Sequence, residues 1–100
     1  MAIAQFIATQ LTQALAPSHL AVVNESHMHN VPPNSETHFK VVIASAAFAG
    51  QRQLARHQRI YALLAPILKN PVHALALHTY TPEEWAATGA APASPECHGR

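Results

Sequence analysis

Aspartate occurs nowhere in this chain of 100 residues, and five glutamates carry all of its side-chain acid. General acid–base and triad chemistry draw heavily on carboxylates. The chain also lacks a G-x-S-x-G elbow and a glycine-rich loop able to cradle phosphate. Catalysis is therefore not expected. Cysteine occurs once, at Cys97. One cysteine excludes an intrachain disulfide and any zinc site built on two thiolates of one chain, and it suits a reducing compartment. Charged residues make up only 11%, against about 25% in ordinary proteins, so ion pairs are few. A net charge of +1 supplies no overall field that would draw the protein onto nucleic acid. The apolar opening, residues 1–17, contains no Lys or Arg and is interrupted by Gln and Thr. It is expected to be neither a secretory leader nor a membrane span, and the chain reads as soluble and cytoplasmic.

What remains is a pattern of alternating helices and strands. Ile3, Phe6, Ile7, Leu11 and Leu15 recur at helical spacing and predict a first helix, closed by Pro17. Residues 19–26 and 37–44 read as strands. The second should turn Phe39, Val41 and Ile43 to one face and His38, Lys40 and Val42 to the other. Between them lies a long loop, residues 27–36, with two prolines. Residues 51–69 read as a helix with Leu54, Tyr61, Leu64, Ala65 and Leu68 buried, broken near Pro66. Arg52, Arg56 and Arg59 should share its opposite face. Residues 72–78 read as a third strand. Thr81, Pro82 and Glu84 then form the start of a short helix carrying Trp85, with Thr81 as N-cap and Glu84 closing a capping box. Residues 1–87 are expected to form one α+β domain, a three-stranded mixed sheet with helices on one face. Residues 88–100 are expected to be a disordered tail.

Polar chemistry falls to eight histidines. His29 in the long loop is either an exposed residue with no role or a ligand. His73 is either a strand histidine bonded to backbone or a ligand. His27 reads as exposed, His38 as a loop-capping residue, and His57 as a satisfied core histidine. His78 should face opposite to His73, and His19 and His98 give no signal. Lys40, Arg52, Arg56 and Arg59 make a basic surface that could meet phosphates. Gly50 has no second glycine at the GXXG spacing used to clamp single-stranded RNA.

Four motifs in order carry a resemblance: NESHMHNVPPNSETHFKVVIAS at 24–45, F-x-G at 48–50, RHQRIY at 56–61 and VHALALHTYTPEEW at 72–85. Together they resemble the BolA family over roughly residues 5 to 97, including the SPEC segment at 94–97. The resemblance implies a class II KH-like fold. It also implies a monothiol glutaredoxin partner, with His29 and His73 as ligands on one side of a [2Fe-2S] cluster. The partner's cysteine and glutathione would supply the other side, so the chain would be a monomer alone and a heterodimer with its partner. Neutral imidazole suits iron, and two His in place of two Cys raise a cluster's potential. Protonation would release the ligands, so cluster affinity should fall with pH. Some bacterial members are DNA-binding regulators of stress response and cell morphology, which is the alternative reading, through Lys40, Arg52, Arg56 and Arg59. Gln58 stands where the family pattern usually has arginine.

Overall fold

The structure, a computed structural model, describes residues 3–26, 36–68 and 72–88. Apolar residues at helical spacing make α1 (Ile3–Leu15), with Ile7, Leu11 and Leu15 buried. Ala16 takes a left-handed φ of 44° and its N–H donates to Thr12 O at 3.1 Å. That turn ends the helix just before Pro17, whose ring disfavours helix at the preceding residue.

The sheet holds β1 (His19–Asn24), β2 (His38–Ala44) and β3 (Ala74–Tyr80) in that spatial order. β1 runs antiparallel to β2, with His19 opposite Ala44, and β3 runs parallel to β2, with Ala44 opposite Tyr80. A parallel pair needs a crossover. It is made by α2 (Gln53–Leu63), flanked by 3-10 turns at Ala46–Phe48 and Ala65–Ile67. Ser45 anchors the first turn, its hydroxyl donating to Leu15 O at 2.6 Å and accepting from Ala47 N at 3.1 Å. Phe39, Val41 and Ile43 meet α1 and α2 in one core with Phe48, Ile60, Leu64, Ile67 and Val72. The short α3 (Pro82–Thr88) starts as expected. Glu84 N donates to Thr81 Oγ1 at 3.2 Å, and Glu84 Oε1 accepts from Thr81 N at 2.9 Å. Its Trp85 stacks on His19 at 4.3 Å and tilts against Tyr80 at 5.2 Å. His19 and Tyr80 share the register row of Ala44, on the sheet face away from the main core.

The mixed sheet and its helices agree with the sequence reading, but β1 ends at Asn24, two residues short of its expected bound, and three further differences stand out. The long helix ends at Leu63, because Pro66 turns the chain into the 3-10 geometry. β3 begins two residues later and runs two residues further than expected. The face of α2 is also rotated. Leu54 is 69% exposed and Tyr61 40% exposed, while Arg56, Ile60 and Leu64 point inward. The expected tail beyond Thr88, with Cys97 and His98, lies outside the described residues, as do His27 and His29.

Candidate functional site

The residues that flank the segment 27–35 form a stem built by short polar side chains. Asn24 Oδ1 accepts from Ser26 N at 2.9 Å, which bends the chain out of β1. The buried Ser26 hydroxyl accepts from Thr37 N at 3.0 Å and from His38 N at 3.1 Å, so it ties the two ends together. Thr37 O in turn accepts from His73 N at 2.8 Å and Ala74 N at 3.1 Å. His73 is exposed and immediately precedes β3 rather than lying within it. The stem of the His29 segment is thus bonded directly to the backbone of His73. His38 serves this stem, with Nδ1 at 2.7 Å from Thr37 Oγ1, in keeping with its reading as a loop-capping residue. Among the described residues, no three or more His, Cys, Asp or Glu side chains gather to hold a metal ion.

The basic surface is smaller than the sequence suggested. Arg56 is a correction: it is 4% exposed and does not share an outer face with Arg52 and Arg59. Its Nε donates to Gln51 O at 2.9 Å, and Nη1 donates to Thr79 O at 3.1 Å. Its two terminal nitrogens grip Glu84 at 2.7 and 3.1 Å. The guanidinium also lies 5.7 Å from the centre of the Phe48 ring. Bonding to Arg56, followed by the bond from Thr81, holds the Glu84 carboxyl down from 4.5 to about 2. A charge at this inward position is stable because a bidentate carboxylate and two carbonyls satisfy it. Lys40 is half-buried, its side chain 19% exposed and 3.8 Å from Glu25 Oε2. Arg52 and Arg59 remain exposed, the latter reaching Ala47 O at 3.5 Å.

His57 is the second correction. It is half-buried, but its Nε2 is buried without a hydrogen-bond partner, so it is not a satisfied core histidine. His78 Nε2 is in the same condition. Burial, then the neighbouring Arg56, lowers the His57 pKa. Burial, then Lys40, lowers that of His78, with Glu25 opposing and His57 adding to the effect. Sequence reasoning missed the Ser26 tie and the Arg56–Glu84 pair. The first had a signal in Asn24 and Ser26, whose side chains bond local backbone. The second had none, since 28 residues separate its partners.

The family model described as BolA-like protein matches residues 11–84. A DNA-binding transcriptional regulator BolA of Escherichia coli is 51% identical over 100 residues, spanning 99% of this chain and 95% of the relative. One of Haemophilus influenzae is 48% identical over 100 residues, spanning 99% and 97%. The solution structure of BolA1 from Mus musculus matches with a TM-score of 0.85 at 40% identity, covering 99% of this chain and 80% of that one. These relatives bear the names of regulators and BolA proteins. The chain belongs to the BolA-like protein family.

Proposed function

We propose that the chain is an adaptor that binds a monothiol glutaredoxin and co-ligates a [2Fe-2S] cluster through His29 and His73. Its work is iron–sulfur trafficking or iron and redox sensing. The observation that carries this reading is the stem: Ser26 closes the ends of the His29 segment, and Thr37 O accepts from His73 N at 2.8 Å. The two ends of the segment that carries His29 are thus tied beside the backbone of the exposed His73. Two imidazoles cannot hold a cluster alone, so the partner's thiolate and glutathione complete the set. Mixing the chain with cluster-loaded monothiol glutaredoxin is expected to change its visible absorption and circular dichroism. The double substitution His29→Ala, His73→Ala is expected to abolish the change. An unaltered spectrum with the natural chain would overturn the reading.

DNA-binding regulation is the second reading, favoured by the names of the two bacterial relatives. Arg52 supports it: it stands exposed at the N-cap of α2, whose first turn contains no acid. Its charge adds there to the positive end of the helix dipole, which suits phosphate. Reversing Arg52 and Arg59 to Glu is expected to weaken duplex binding in gel shifts. The slope of log K against log salt should fall by about 2. Unchanged affinity and slope would end this reading.

A further inference from the structure

Residues 36–38 meet the sheet and a helix at one junction. Thr37 N and His38 N donate to the Ser26 hydroxyl, and Thr37 O accepts from His73 N and Ala74 N. These bonds join the end of β1, the start of β2 and the start of β3. Glu36 adds the helical layer. It is half-buried, and its Oε2 accepts from Ile3 N, at the start of α1, at 3.4 Å and across 33 residues. Ile3 packs against the core, and Phe39, next to His38, and Val72, next to His73, are buried in it. The segments that meet at the junction are therefore rooted in one core. The opening N–H groups of a helix lack partners within it and carry the positive end of its dipole. The first turn of α1 contains no acid of its own. Glu25 and Glu84 each pair with a cation, whereas Glu36 offers its carboxylate to this amide.

We propose that Glu36 is a positioning residue: it fixes the stem of the His29 segment to the start of α1, so that the first turn of the helix and the stem beside His73 act as one unit. The other bonds of the stem do not do this. Ser26 holds its two sides to each other, and Thr37 O holds it to the backbone of His73, but both lie within the sheet layer. Glu36 reaches the helical layer from the residue that adjoins the segment 27–35. The carboxylate suits the task in two ways. Its oxygen accepts a bond that α1 cannot supply for itself, and its charge meets the positive end of the dipole. Such coupling is reciprocal. What steadies the stem should steady the first turn of α1, and what releases Ile3 should loosen the stem. The bearing of Glu36 on cluster ligation rests on the proposed function, whereas the coupling between stem and helix stands without it.

Glu36→Ala and Glu36→Gln in the full chain test it, first without a partner. In Glu36→Ala, hydrogen exchange at the Thr37, His38 and His73 amides is expected to quicken about threefold, the size expected of a carboxylate at a helix start. Exchange near the start of α1 should quicken with it. Glu36→Gln keeps an acceptor oxygen without the charge, and its effect should be smaller. Quickening in α1 alone would make Glu36 a helix cap and overturn the coupling. Cluster-loaded monothiol glutaredoxin is then added. The chain concentration at half of the spectral change is expected to rise about threefold in Glu36→Ala and less in Glu36→Gln. An unchanged midpoint in Glu36→Ala, with the natural chain responding, would overturn the positioning role. A natural chain that gives no spectral change would end the proposed function instead, and the exchange data would still decide the coupling. Should Glu36→Ala fail to fold, Glu36→Asp, whose shorter side chain draws the carboxylate away from Ile3, takes its place and the same outcomes decide.

Discussion

Replacing Arg56 with alanine is expected to lower the unfolding free energy by about 3 kcal/mol, measured by urea denaturation. The loss has several sources. Gln51 O loses its bond to Nε, and Thr79 O keeps only the donor from Gln53. A void opens beside Phe48, where the guanidinium now lies. The Glu84 side chain is 47% exposed and returns to water, so its release costs little. This keeps the effect toward the lower end of what breaking a fully buried pair costs. Glu84→Gln leaves the cation in place with a neutral acceptor, and its cost should be smaller, about 1 to 2 kcal/mol. Acid separates the two roles. The Glu84 carboxyl is held at about 2 when folded and titrates near 4.5 when free. Its contribution is complete above 4.5 and is lost as pH falls through about 2. The natural chain should show this loss and Glu84→Gln should not. An Arg56→Ala protein within about 0.5 kcal/mol of the natural chain would make the inward arginine a spectator.

The same residue shows where reading the sequence stopped. Hydrophobic spacing was enough for α1, because Ile7, Leu11 and Leu15 are all apolar and all buried. Alternation was enough for β2, where Phe39, Val41 and Ile43 meet the helices. In α2 the spacing misled. Leu54 and Tyr61 look like core residues and Arg56 like surface, yet the helix is turned so that Arg56 enters the core. Local periodicity assumes that an arginine seeks water, and that fails when a carboxylate 28 residues later reaches the guanidinium. The capping box was legible because it spans Thr81 to Glu84. The second use of Glu84 was not, because it depends on where α3 docks. The proposed ligand pair, His29 and His73, was suggested only by family motifs. Spacing alone left His29 and His73 among eight histidines, since what brings the His29 stem to His73 is a set of hydrogen bonds across three elements.

Ser26 is where that arrangement is most open to a single substitution. Ser26→Ala is expected to lower stability by about 2 kcal/mol, since two amides, of Thr37 and His38, lose one shared acceptor. The sheet itself should persist. Glu25 N still donates to His38 O at 2.7 Å, and the β1–β2 register runs from His19 to Asn24 independently of the hydroxyl. The larger consequence should be in ligation. On the proposed function, His73 is untouched, but the segment carrying His29 loses the tie between its ends, and ordering it on a cluster would then cost more conformational entropy. The concentration of chain needed for the spectral change with cluster-loaded glutaredoxin should rise by about tenfold, equivalent to about 1.4 kcal/mol. Ser26→Thr keeps the hydroxyl and should restore most of the response. This comparison separates positioning from general loss of stability. If Ser26→Ala matched the natural chain in spectral titration while unfolding earlier in urea, the tie would be structural only. His29 would then reach the cluster without it. If alanine weakens ligation and threonine rescues it, a residue that touches no metal sets how well two distant histidines act as one half-site.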